Sequence, residues 1–198
     1  MPLLKSMVES ARFLREFARA PGVTGAVAPS SPYLAEKIVE WIDWETTSTL
    51  VEWGPGTGSF TKAILERKPA RCRYLAMEVS QDMCDVLRER FPGIEVFRRS
   101  VTDVAEVCEH ECIEAVDCVV CGLPWAAFSD AMQTEFLDAL TCVLRPGGQF
   151  TTFAYVHGLA VPAAHRFRRK LDACFSEVAT TDTVWLNVPP AFVYRCRR

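Results

Sequence analysis

The chain has 198 residues, 49% of them hydrophobic and 24% charged, which is enough for one good core and is the balance of a folded globular protein, not a disordered one. A net charge of -3 and a pI near 5.7 argue against a nucleic-acid backbone as main partner, since that needs a broad basic face. No apolar stretch approaches the roughly 18 residues of a membrane-spanning helix, and Lys5, Glu9 and Arg12 break the first apolar residues, so no secretory signal is read and the nine cysteines are expected as reduced thiols of a cytoplasmic protein.

The first helix is expected over residues 3–20, ending at Pro21-Gly22. On a helical wheel Leu4, Met7, Val8, Ala11, Leu14 and Ala18 form one apolar stripe, with Phe13 and Phe17 beside it. Lys5, Arg12 and Arg19 recur on the other side. A basic amphipathic helix of this kind lies in a lipid interface; packing on the sheet is the alternative. Residues 1–30 are thus expected to be a membrane-contacting helix and linker, and residues 31–198 the main domain. A second helix starts at Ser31-Pro32, with serine as N-cap and proline at the first helical position, and runs to about Trp41.

From Leu50 onward, β-rich runs at 50–53, 73–78, 94–97, 116–121 and 149–155 alternate with helical patterns at 59–67, 81–89, 104–109 and 130–144. A further helix at 163–175 precedes strands at 178–186 and 192–196, joined through Asn187-Val188-Pro189-Pro190 and expected to pair antiparallel at one edge. This order predicts an α/β fold: a seven-stranded, mostly parallel sheet with helices on both faces and extra N-terminal helices.

The loop after the first strand reads Glu52-Trp53-Gly54-Pro55-Gly56-Thr57-Gly58. Ligands of open α/β sheets sit beyond the carboxyl ends of the strands, and glycines there let backbone pass close to them. The spacing is G-x-G-x-G, not the G-x-G-x-x-G of dinucleotide loops. Glu52 would repel a pyrophosphate and suits a cationic or amino-bearing ligand. Glu78 ends the second strand about 20 residues later, where a carboxylate can accept both hydroxyls of a ribose; capping the next helix at Ser80 is the alternative. After the third strand Ser100 and Val101 stand where an adenine contact is expected, with Asp103 as a possible helix N-cap.

The element order, with Glu52, Gly54, Gly56, Gly58 and Glu78, resembles the Rossmann-like class I methyltransferases, and the resemblance implies S-adenosylmethionine as cofactor. In the amino-methylating members an Asn/Asp/Ser-Pro-Pro-Tyr/Phe/Trp loop follows the fourth strand. Here it reads Cys121-Gly122-Leu123-Pro124-Trp125, and Pro124 and Trp125 are what remains of that pattern. Trp125 offers a π face for a methylammonium, or else packs in the core.

Phe13-Leu14-Arg15-Glu16-Phe17, the segment Gly22-Val23-Thr24-Gly25-Ala26-Val27-Ala28-Pro29-Ser30-Ser31, the glycine loop, Gly122-Leu123-Pro124 and Arg145-Pro146-Gly147-Gly148 together resemble the soluble bacterial phospholipid N-methyltransferases over roughly residues 13–153. That resemblance implies stepwise methylation of phosphatidylethanolamine, or of ornithine lipid, by a peripheral protein at the cytoplasmic face of the inner membrane. An anionic membrane surface is then the partner, a monomer the solution state, and nucleic acid no partner. Transfer needs a neutral amine behind the sulfonium methyl and a route for one proton. Tyr33, Tyr155 and His157 are the candidates for that route, and Ser31, Trp125 and Arg166 for substrate contacts, each with a structural alternative. Competing readings are an rRNA adenine methyltransferase, a small-molecule methyltransferase, and an inactive cofactor-binding module at the membrane. Cys108, Cys112, Cys118, Cys121 and His110 mimic a zinc set, but Cys118 and Cys121 would point to opposite faces of a strand, so no metal is expected.

Overall fold

Short β-branched and aromatic runs set the strands, and amphipathic stretches between them set the helices. The computed structural model describes residues 30–198; the helix expected at 3–20 and the segment through Ala28 lie outside them. The elements are α1 (Pro32–Val39), β1 (Thr49–Trp53), α2 (Ser59–Arg67), β2 (Arg73–Met77), α3 (Gln81–Arg90), β3 (Glu95–Phe97), α4 (Val104–His110), β4 (Val116–Cys121), α5 (Asp130–Val143), β5 (Leu144–Tyr155), α6 (Pro162–Cys174), β6 (Glu177–Thr180) and β7 (Ala191–Arg197). One sheet holds all seven strands in the order β3-β2-β1-β4-β5-β7-β6. The first five pair parallel, and β7 runs antiparallel to both β5 and β6. The order reverses between β1 and β4, the point where such sheets bind ligands.

Two cores follow from the period of two along each strand. Val51, Trp53, Leu75, Met77, Val119 and Cys121 face α4, α5 and α6. Leu50, Tyr74, Ala76, Cys118 and Val120 face α1 and α2. Cys118 and Cys121 thus fall on opposite faces, as their spacing requires. The first core centres on Trp125, stacked on Phe167 at 4.3 Å and edge-on to Phe128, Phe136 and Phe150. Pairs of this geometry add about 0.5–1.5 kcal/mol each beyond the area they bury.

An eight-residue helix is not stable alone, and α1 is held by what it docks on. Ser31 caps it, its hydroxyl accepting the Leu34 N–H. Leu34, Ile38 and Val39 are buried against the sheet. From β5, Thr151 donates to the Ile38 carbonyl at 3.1 Å, while the Gln149 amide accepts from Asp43 N–H at 2.8 Å and donates to the Trp41 carbonyl at 2.9 Å.

Two expected boundaries are corrected. The fifth strand begins at Leu144, not Gln149, because the ladder to β4 resumes at Val116↔Leu144 across an irregularity. The sixth ends at Thr180, not Leu186: the Thr181 hydroxyl accepts the Val193 N–H, closing the regular ladder, and only Val184 pairs again, with Ala191. Residues 185–190 therefore leave the sheet.

Gln149→Ala should lower stability by about 2–4 kcal/mol, since it empties a buried side-chain site and leaves the Asp43 N–H and the Trp41 carbonyl, both half-buried, without their partner. The melting temperature should fall by about 5–15 °C. Urea denaturation checks this; a midpoint within error of wild type would contradict the role given to Gln149.

Candidate active site

The carboxyl ends of β1, β2, β4 and β5 bring most of the expected residues to one end of the sheet. Gly54 N–H donates to the Met77 carbonyl at 3.0 Å, pinning the loop to the end of β2, and Gly122 N–H donates to the Trp53 carbonyl at 2.8 Å. Gly58, at φ +86°, leaves no room for a side chain: a Cβ there would lie 2.4 Å from the Phe91 ring. Gly56, at φ +54°, differs, because a Cβ on it would meet nothing within 4 Å. Its outer side is the open face of the loop.

Glu52 lies fully buried on the α1–α2 face. Its Oε2 accepts from the hydroxyls of Thr61, at 2.8 Å, and Tyr74, at 2.5 Å, while Oε1 has no partner among the described residues. Burial raises its pKa to about 7, against the two hydroxyl bonds and with help from the charge of Glu78. Glu78 is also buried and its pKa is raised by desolvation, opposed by N–H groups of Ser80 and Gly56. Those bonds are 2.9 Å to Oε1 and 3.2 Å to Oε2. Glu78 therefore does more than cap a helix: Ser80 caps α3 with its own hydroxyl, and Glu78 bridges the end of β2 to the glycine loop. Among the described residues no cationic side chain enters the balance of either acid. Buried negative charge without a counter-ion is costly, so the pair suits a ligand that brings the cation.

Ser100 and Val101 are engaged within the protein. The Ser100 hydroxyl accepts from Thr102 N–H and hydroxyl, and Asp103 returns a bond to Ser100 N–H. Asp103 does stand at the N-cap position of α4, but its side chain makes no cap bond there and instead closes this capping box with Ser100. Val101 is packed in the core.

Beyond β4 and β5 lies a cavity of about 170 Å³, lined by Pro124, Trp125, Phe153, Tyr155, His157 and Val161 among others. Tyr155 and His157 stack at 5.4 Å and 14°. Among the described residues no acidic or basic side chain other than His157 lines it. The expectation that Trp125 presents an open π face is corrected: its indole is 2% exposed, covered by Phe167, and its N–H donates to Thr152 at 3.1 Å. Tyr33 is exposed in the first turn of α1 and does not line the cavity. The Ser31 hydroxyl is spent on the cap, and Ser31 N–H donates to Asn187. Arg166 faces Asp130 at 3.6 Å instead of the cavity.

Three residues that sequence reasoning passed over support this site. Thr61 and Tyr74 hold Glu52, and Tyr74 stands on the same face of the sheet, at the parity a strand pattern can reveal. Gln133 is fully buried on the apolar stripe of α5 and donates to the carbonyls of Trp125, at 2.8 Å, and Ala163, at 3.3 Å. A polar residue i−3 and i−4 from Phe136 and Leu137 was the available signal.

The loop, the acids and the apolar cavity can hold a cationic, nucleotide-like ligand against an apolar acceptor. The methyltransferase domain family matches residues 50–148, half of the chain. Ornithine lipid N-methyltransferase of Singulisphaera acidiphila is 34% identical over 191 residues, covering 93% of this chain and 94% of its own. Ribosomal RNA small subunit methyltransferase A of Dehalococcoides mccartyi is 30% identical over 52% of this chain and 35% of its own. Among solved structures, an O-methyltransferase from Bacillus cereus in complex with SAH superposes with a TM-score of 0.66 at 15% identity, over 96% of this chain and 91% of its own. At that identity the likeness speaks for the fold alone. The domain match and a relative matched along nearly its whole length settle the matter: the chain belongs to the S-adenosylmethionine-dependent methyltransferases of class I fold, in the family that includes ornithine lipid N-methyltransferase.

Proposed function

We propose that this chain transfers methyl groups to the amine of a membrane lipid, phosphatidylethanolamine and its methylated intermediates or ornithine lipid, at the cytoplasmic membrane surface. The cavity at the ends of β4 and β5 carries this reading: among the described residues it is lined by apolar and aromatic side chains, without Lys or Arg, and its lining residue Pro124 directly follows Leu123, which packs against Gly54. Such a wall suits a lipid backbone and offers nothing to a phosphodiester chain. The relative that is a lipid N-methyltransferase supports it.

The residues fit the cofactor. Glu52 Oε1, buried and without a partner among the described residues, is assigned to an amino group, Gly56 gives backbone access, and Glu78 is assigned to the ribose hydroxyls. Bound S-adenosylmethionine supplies a sulfonium methyl for direct displacement by an amine. The chain's task is then to bring that amine in neutral form, dry and in line. The apolar cavity excludes water and disfavours the ammonium form. The His157 imidazole, stacked on Tyr155 at the cavity wall, takes the proton that the ammonium releases and passes it to solvent, since His157 is exposed. Burial raises the pKa of Tyr155, so its hydroxyl stays protonated at neutral pH and positions the amine by hydrogen bonding.

Purified protein with labelled S-adenosylmethionine and liposomes of phosphatidylethanolamine, with and without ornithine lipid, should place label in the lipid phase. Label confined to water-soluble products would sink the lipid reading. His157→Ala should lower kcat by about 10²–10³ at neutral pH and leave the cofactor Kd unchanged.

Glu52 must be ionised to hold an amino cation, and its free-state pKa is about 7. Below pH 7 binding must first release a proton, so cofactor affinity should rise about tenfold from pH 6 to pH 8. Glu52→Gln should bind weakly at both pH values and flatten the profile; an unchanged slope in calorimetry would refute the assignment.

The two glycines should separate fold from ligand. Gly56→Ala should lose about 1 kcal/mol of stability for its left-handed φ but at least about tenfold in cofactor affinity. Gly58→Ala, colliding with Phe91, should lose about 2–4 kcal/mol of stability. Urea denaturation and calorimetry on both variants test this contrast.

A further inference from the structure

The loop between β6 and β7 turns its large apolar side chains outward. Trp185 is 72% exposed, Leu186 64% and Val188 78%. Nothing in the sequence from Thr183 to Tyr194 is charged. The loop is braced from beneath: buried Asn187 accepts from Ser31 N–H at 2.9 Å and donates to the Pro189 carbonyl at 2.7 Å. Val184 N–H donates to the Ala191 carbonyl at 2.7 Å, and the Pro190 carbonyl accepts from Val156 N–H at 2.9 Å. That last bond joins the loop to the segment after β5, where Leu159 and Val161 are also exposed and Val161 lines the cavity.

Topology fixes where this patch lies. Ala191, which starts β7, pairs with Tyr155, which ends β5, so the loop stands at the carboxyl end of the sheet, as the cavity does. At the same end, beyond the opposite edge strand β3, Arg98 and Arg99 are exposed and their side chains make no ion pair among the described residues.

We propose that Trp185, Leu186 and Val188 dock this face on a lipid bilayer, with Arg98 and Arg99 meeting anionic headgroups, so that the cavity between them opens toward the membrane. Among the described residues no helix is long and apolar enough to cross a membrane, so they meet a bilayer from its surface. An indole with two aliphatic side chains matches the headgroup boundary, where apolar bodies are buried to a depth of about 5–10 Å. The uncharged loop can enter that layer without desolvating an ion, and the arginine pair complements the negative surface potential. A second copy of the chain fits less well: three side chains of this size offer well under the roughly 800 Å² per partner of a stable dimer. This proposal rests on the lipid-methylating reading above and names the surface it requires.

The test is co-sedimentation of the full chain with phosphatidylethanolamine vesicles containing phosphatidylglycerol, and separately with vesicles of phosphatidylcholine alone. The double variant Trp185→Ser/Leu186→Ser should bind both vesicles about tenfold or more weakly, with its cofactor Kd unchanged in calorimetry as proof of an intact fold. Arg98→Ser/Arg99→Ser should lose about tenfold on the phosphatidylglycerol vesicles only. Trp185→Phe should keep vesicle affinity but lose the blue shift of tryptophan emission, since Trp53 and Trp125 are buried already and half-buried Trp41 and Trp44 lie at the opposite, amino end of the sheet, beside Arg197 and Arg71. Wild-type sedimentation by the Trp185→Ser/Leu186→Ser variant overturns the proposal, as does a dimer in the wild type that this variant dissolves. Sedimentation needs no methyl transfer, so a chain that docks through Trp185 yet labels no lipid would defeat the catalytic reading and leave the docking surface standing.

Discussion

Two buried carboxylates with no cation beside them among the described residues set the character of this molecule. Glu52 is fixed by Thr61 and Tyr74 in the interior of the sheet, and Glu78 by the N–H groups of Gly56 and Ser80. Burial pushes the pKa of both upward. A fold seeking only stability would have replaced this pair with apolar residues. The cost is localised at the turn where the strand order reverses, and the cationic ligand proposed for that turn would offset it.

The rest of the architecture can be understood as support for that turn. Parallel pairing of β1 with β2 and β4 fixes the depth at which each carboxyl end emerges. Gly122, through its bond to the Trp53 carbonyl, keeps the β4 loop close against the glycine loop. The aromatic core around Trp125, with Gln133 tying the Trp125 carbonyl to α6, makes the cavity wall rigid. Chemistry that consists mainly of alignment benefits from such stiffness, because direct displacement tolerates little error in the approach of the nucleophile.

The far edge of the sheet serves another purpose. Asn187 spends its side chain within the protein, and the residues flanking it are left outside. The Ser31–Asn187 bond, with the bond from Val156 N–H to the Pro190 carbonyl, links α1, the β6–β7 loop and the segment after β5 into one frame at the ligand end. The cavity and the exposed apolar loop thereby share a single face of the molecule.

The alternation of β-rich and amphipathic runs determined the sheet and its helices, and the spacing of three glycines between two acids determined the cofactor end, since both depend on short-range geometry: a period of two, a period of 3.6 and backbone room at a turn. Bond partners lay beyond that reach. That Trp125 is covered by Phe167, 42 positions along the chain, and that one Glu52 oxygen has no partner among the described residues depend on packing between distant segments. The exposed Trp185 loop was hidden for the same reason. Val184-Trp185-Leu186 has a strand's composition, and only the Thr181 hydroxyl closing the ladder and Asn187 reaching Ser31 turned those residues outward. Local sequence chose the scaffold and its ligand class; tertiary contacts decided which side chains remain available to act.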